Sequence, residues 1–311
     1  LKKHFYILAI AISIISLQSC VDSIPVPIEE VDAKLKFESK IGAFRGGFSA
    51  KISTTTGFSD IDAISHPEDV DVRITWVGAV SVDDFVQLYF DETCECYTNT
   101  EEKPDPSFRY ILNAYIPNSD IYEPIKAYMK IPNVNRIESV EAIRDTTDGI
   151  TSLTSTLQLK ESVNQYYHII PYRRGTDIVI NSDGEEEEVY NDYREYLDFV
   201  DSENHELHFE QLHNQPGFLV DFGQQTESEN PLSLSLISSD IIDYESEAFT
   251  KIFYEIRSVT ESYYEYEKYL SRELKRIEIG VGDPPIAYSN IIDGLGYFGG
   301  YSVVQDSIPV Q

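Results

Sequence analysis

Val70-Asp71-Val72-Arg73-Ile74-Thr75-Trp76-Val77 alternates apolar and polar side chains almost without a break. A period of two puts every second residue on one face of an extended chain, so the run reads as a half-buried β-strand. The alternation recurs at residues 34–38 and 48–53, and further strand-like runs lie at 85–90, 109–116 and 125–131. Turn-forming clusters separate them, among them Gly46-Gly47 and Pro104-Asp105-Pro106. Short strands with turn signals between them predict an Ig-like antiparallel β-sandwich over residues 33–134. Asn133-Val134-Asn135, after Pro132, marks its end.

Residues 135–311 read as a second, β-rich domain. Strand-like runs fall at 136–143, 153–159, 165–170, 218–222, 232–236 and 249–257. Asn181-Ser182-Asp183-Gly184 opens an acidic loop through Glu185–Glu188, where adjacent carboxylates repel one another and favour water. Ser258-Val259-Thr260-Glu261 fits a capping box with Ser258 as the N-cap. It predicts one helix over 259–275, with Tyr263, Tyr266, Leu270 and Leu274 on one packing face and Lys275 and Arg276 near the dipole's negative end. Composition agrees with a mainly β fold. The chain has 22 Tyr and 15 Phe against one Met and one Trp, and aromatic residues suit half-buried strands.

The opening residues speak to location. Lys2 and Lys3 precede an apolar and small-residue run from Phe5 to Leu17, then Leu17-Gln18-Ser19-Cys20. The run falls short of the ~20 residues of a membrane span and reads as a secretory signal. Its small residue before a cysteine resembles a bacterial lipoprotein signal. Residues 1–19 would then be removed and Cys20 lipidated. Residues 20–32 carry Pro25 and Pro27 among acids and read as an extended tether. Without residues 1–19 the chain holds 22 Lys and Arg against 54 Asp and Glu, a charge of −32. That balance argues against nucleic acid, whose phosphates need concentrated Lys and Arg, and against adsorption to anionic lipid. Acyl chains on Cys20 would supply the membrane attachment, at about 0.8 kcal/mol per buried CH₂.

Several motifs bear on chemistry. Gly294-x-Gly296-x-x-Gly299 has dinucleotide-binding spacing, but only 12 residues follow Gly299, too few for the crossover helix and strand that motif requires. Cys94-Glu95-Cys96 leaves three readings open: a disulfide, two free thiols, or half of a soft-metal site lacking its second pair. His205, His208 and His213 lie among carboxylates and are candidate metal ligands, set against polar surface histidines. Their spacing is not that of a His-Glu-x-x-His helix. No nucleophile motif and no cofactor signature stands out, so a non-enzymatic role is expected.

The string Asp283-Pro284-Pro285-Ile286-Ala287-Tyr288-Ser289-Asn290-Ile291-Ile292-Asp293-Gly294-Leu295-Gly296-Tyr297-Phe298-Gly299-Gly300-Tyr301-Ser302 resembles the closing signature of a family of Bacteroidetes lipoproteins, domain of unknown function 4249. The Tyr-rich segment from Ser258 to Leu270 fits the same family. The resemblance implies an outer-membrane protein, often encoded beside TonB-dependent transporters, with no catalytic residue to carry over. It also implies a structural signature, Gly299 included, in which Asn290, Gly294 and Gly296 shape a turn and Tyr297 and Phe298 pack beneath it. The expectation is a lipid-anchored accessory to such a transporter, capturing a small ligand or peptide. The alternatives are a free-standing surface interaction or adhesion protein and a cation-binding lipoprotein.

Overall fold

A computed structural model describes residues 34–309 except 45, 56–68, 79–83, 118, 120–122, 134–136, 148–149, 160–164, 181–185, 198, 202–207, 224–231, 239–250 and 281–286. Its first seven strands are β1 (Lys34–Gly42), β2 (Phe48–Thr55), β3 (Asp71–Trp76), β4 (Phe85–Asp91), β5 (Cys96–Asn99), β6 (Arg109–Tyr115) and β7 (Ile125–Lys130). Alternation explains them. β3 buries Val72 and Ile74 and leaves Asp71 and Arg73 half-buried, and β7 alternates buried and exposed along its whole length. There follow β8 (Ile137–Thr147), β9 (Ile150–Leu159), β10 (Tyr166–Ile180), β11 (Glu186–Tyr196), β12 (Phe199–Asp201), β13 (His208–Gln211), β14 (Phe218–Asp221), β15 (Leu232–Ser238), β16 (Lys251–Val259), helix α1 (Glu261–Ile279) and β17 (Leu295–Pro309).

The protein is mainly β. One 13-stranded sheet runs β13-β14-β10-β16-β17-β1-β2-β5-β4-β3-β6-β7 with β11 added to β10, and a four-stranded sheet runs β12-β15-β9-β8. The long sheet folds over on its first-half strands. β7 comes back to the entry of β17, where Lys126 and Ile292 exchange backbone hydrogen bonds of 3.2 and 2.8 Å. The sandwich so formed encloses one core that includes Leu35, Phe37, Ile52, Ile74, Leu112 and Ile125. Ile291 and Phe298, from the far end of the chain, are part of the same core. Each large apolar side chain buried there contributes about 1.5–3 kcal/mol.

Within residues 34–130 every described strand pair is antiparallel, as the sequence suggested, and the one parallel pairing brings in the far end of the chain. β1 and β17 pair in parallel, from Lys36 opposite Leu295 to Gly42 opposite Tyr301. Parallel neighbours cannot be joined by a tight turn, and here nearly the whole chain forms the crossover. The pairing also makes one continuous sheet of strands from both sides of the 134/135 boundary.

Three local readings change. Ser258 is not the helix cap, because it is the penultimate residue of β16, paired with Tyr167 on one side and Ser302 on the other. Thr260 caps instead, at φ −70° and ψ 156°, its side chain accepting from the Tyr263 amide at 3.2 Å. The helix runs Glu261–Ile279 rather than 259–275, and its buried face is Ser262, Tyr263, Tyr264, Tyr266, Glu267 and Ser271, while Leu274 is exposed. Glu186–Glu188, read as loop, lie in β11 opposite Ile178–Ile180 of β10. Cys20, the 20–32 tether, Glu185 and His205 lie outside the described residues.

Candidate functional site

Thr260 fixes where α1 sits. Its backbone amide donates to the Gly300 carbonyl (2.9 Å), and its hydroxyl accepts from the Gly300 amide (3.1 Å). Ser262 Oγ donates to the Phe298 carbonyl at 3.0 Å, so the first helical turn is fastened to β17 by polar bonds. The other edge of Phe298 is closed by Asn290, whose side-chain amide accepts from Phe298 N and donates to Phe298 O, both at 2.9 Å. Asn290 thus does for β17 what a neighbouring strand would do. Gly299 lies under the helix start, where a Cβ would come within 3.2 Å of Tyr263 N. Gly296 has φ +97°, and a Cβ there would lie 2.1 Å from the Phe37 carbonyl oxygen. Gly294 is buried beside Leu35 and Ile125. The signature residues therefore hold β17 between β1 and α1.

Below the helix lies a polar network the sequence reading missed. His168, on β10, is wholly buried, with Nδ1 2.9 Å from Tyr263 Oη and Nε2 2.9 Å from the Pro216 carbonyl oxygen. A carbonyl only accepts, so Nε2 carries the proton and Nδ1 accepts from the Tyr263 hydroxyl. Burial, reinforced by the Arg257 guanidinium, pushes the imidazole down to about 3, so it is neutral at physiological pH. Burial likewise raises the Tyr263 hydroxyl. Arg257 donates to Glu255 (2.8 Å) and to Tyr263 Oη (3.4 Å). Glu255 also accepts from Arg194 (3.1 Å) and Gln305 (2.8 Å). Burial works to raise the Glu255 carboxyl, but Arg257 and the other donors outweigh it and hold it below its usual range. The network locks β10, β11, β16, β17 and α1 together.

Directly above Tyr263 the surface opens into a cleft of about 410 Å³, lined from β1 by Glu38 and Lys40, from β2 by Lys51, and from α1 by Tyr266 and Glu267. Lys40 Nζ sits 5.5 Å over the Tyr263 ring and 2.5 Å from Glu267. Glu267 is 1 % exposed and also accepts from Asn214 Nδ2 (2.6 Å) and Tyr297 Oη (3.5 Å). Glu38 accepts from the Tyr266 hydroxyl and pairs with Lys36 at 3.0 Å. The Tyr266 and Tyr297 rings stack behind these groups, with centroids 3.9 Å apart. The remaining wall is the turn at residues 212–217, which supplies Asn214 and Gln215. It is held to α1 by Ser271 Oγ, which accepts from the His213 amide at 2.9 Å, while Pro216 caps His168.

The sequence-selected residues stand apart from this cleft. Cys94 and Cys96 form a disulfide across the β4–β5 connection, with Cα atoms 5.2 Å apart. His208 is on β13, and His213 is exposed in the turn that follows. Among the described residues no group of three or more His, Cys, Asp or Glu side chains is placed to hold a metal ion. His168 did leave one signal, a lone polar residue within Tyr166-Tyr167-His168-Ile169-Ile170. The cleft left none, since its walls come from five separated segments.

Among curated proteins none matches this chain. Two solved structures overlap it loosely. One, described as "The Enterococcus faecalis MSCRAMM ACE binds its ligands by the collagen Hug Model", shares 11% identity at a TM-score of 0.26, covering 89% of this chain and 94% of that one. The other, "Yeast delta-COP-I mu-homology domain complexed with Dsl1 WxWxV peptide", shares 6% identity at a TM-score of 0.21, covering 90% and 94%. Likenesses so shallow carry no functional argument. The family model of the domain of unknown function 4249 (DUF4249) matches residues 21–307, and the chain belongs to that family.

Proposed function

We propose that this protein is a lipoprotein anchored to the outer membrane through Cys20, acting without catalysis as an accessory to a TonB-dependent transporter in nutrient capture. The observation that carries the binding part of this reading is the cleft between β1, β2, α1 and the 212–217 turn. Within it Lys40 pairs with Glu267, and Glu38 pairs with Lys36 beside it, as suits a surface that receives a ligand and returns it unchanged. The groups nearest to acid–base chemistry, His168 and Tyr263, are sealed beneath it and committed to each other. The leader-like residues 1–20 support the anchor, and the strongly acidic body gives anionic lipid no reason to hold it otherwise.

The test is affinity purification of the tagged, lipidated chain from detergent-solubilised outer membranes, with mass spectrometry of what accompanies it. A TonB-dependent transporter recovered in stoichiometric amount is the expected result. Recovery of the chain alone would remove the transporter from the account and leave a free-standing surface binding protein.

A further inference from the structure

Asn214 and Gln215 are neighbours in the turn that walls the cleft, and each side-chain amide is held at one atom only. Asn214 Nδ2 donates to Glu267 at 2.6 Å, and Gln215 Oε1 accepts from the Lys40 ammonium at 3.3 Å. A carboxylate only accepts and an ammonium only donates, so these contacts fix both amide orientations without ambiguity. What remains is one acceptor, Asn214 Oδ1, and one donor, Gln215 Nε2. Both are shielded from bulk water, and neither has a hydrogen-bond partner among the described residues. Buried polar atoms are almost always paired, so two orphans on consecutive residues of one cleft wall are unusual.

We propose that this pair and the flanking charges form a site for a short peptide with free termini. An extended residue presents its own N–H donor and C=O acceptor on the same side of the chain, which is the complement of Asn214 Oδ1 and Gln215 Nε2. Lys51 on β2 suits a terminal carboxylate, and Glu38 suits a terminal ammonium in exchange for its surface pair with Lys36. Both residues are half-buried, line the cleft and sit in a turn rather than a ladder, so the ligand would meet the two orphans by turning the amides out of their contacts with Glu267 and Lys40. A saccharide would meet the same amides but would leave the separated opposite charges unused. The inference rests on the binding reading of the cleft and is independent of any transporter.

The experiment is isothermal titration of the full chain, in detergent, with trialanine up to about 10 mM, a weak but measurable range for so small a ligand. N-acetyl-trialanine-amide and maltotriose serve as comparison ligands. Trialanine is expected to bind saturably, the capped peptide at least about tenfold more weakly, and maltotriose not at all. Gln215→Glu keeps the oxygen facing Lys40 and turns the orphan donor into an acceptor, so it should weaken trialanine about tenfold or more in a chain that stays folded by circular dichroism. Lys51→Ala, on β2, should weaken free trialanine and leave the capped peptide unaffected. No saturable binding of trialanine, equal binding of the capped peptide, or wild-type affinity in Gln215→Glu would each overturn the proposal. Failed transporter recovery with intact peptide binding would sink only the transport role, and the converse would sink only this site.

Discussion

Replacing Gly296 by alanine tests the pairing that joins the two ends of the chain. Gly296 lies opposite Phe37 in the parallel β1–β17 ladder, at φ +97°. An L side chain held in that conformation costs about 1–3 kcal/mol. The added Cβ would also lie 2.1 Å from the Phe37 carbonyl oxygen. That is roughly 1 Å inside the closest C···O contacts folded proteins accept, so a strand must shift, at a further cost of about 1–3 kcal/mol. The expected loss is about 2–6 kcal/mol, against a total stability of about 5–15 kcal/mol for a protein of ordinary stability. Gly280→Ala is the control. It ends α1 at φ +70° with no described atom within 4 Å, so it carries only the left-handed cost of about 1–2 kcal/mol. Urea unfolding of both variants, read as the shift in midpoint at unchanged slope, separates the two contributions. Equal losses in the two variants would refute the close β1–β17 approach.

Three further outcomes follow from the geometry. His168 should stay neutral and Nε2-protonated at pH 5 by NMR, because its folded value of about 3 lies below the ordinary 6.5. Since the folded value is depressed, its share of stability is full above pH 6.5 and is lost as pH falls toward 3, at about 1.4 kcal/mol per unit; a protonated ring at pH 5 would contradict this. Asn290→Ala should cost about 1–3 kcal/mol in the same unfolding assay, because it strips the Phe298 amide of its acceptor inside a packed edge; a loss under about 0.5 kcal/mol would show the edge finds another partner. Reducing the Cys94–Cys96 disulfide opens only a three-residue loop, so stability should fall by less than about 2 kcal/mol, and global unfolding on reduction would give that bond a larger part than the fold assigns it.

The parts of this fold that local chemistry decides were readable from the residues. β3 and β7 follow their alternation, and one helix near the end follows its aromatic spacing. The cap was misplaced because Ser258 and Thr260 are both good N-caps and Ser258-x-x-Glu261 mimics a capping box. Only the ladder partners Tyr167 and Ser302 decide between them, and those are distant in sequence. The β1–β17 pairing was invisible for the same reason, since nothing local tells one alternating strand which other it will meet. Glu267 illustrates the limit for the site. It lies one position from Tyr266 on a helix read by its apolar face, yet it is buried because Lys40, Asn214 and Tyr297 converge on it from three other segments.

The functional account hangs on the anchor. On the proposed reading, lipid on Cys20 would hold the acidic body at the membrane beside the transporter. The direct measurement is labelled palmitate fed to cells expressing the wild-type chain and Cys20→Ala, followed by membrane fractionation. The account predicts label on the wild-type chain in the outer-membrane fraction, with Cys20→Ala unlabelled and released into the soluble fraction. Wild-type chain that takes up no label, or Cys20→Ala that remains in the outer membrane, would contradict it.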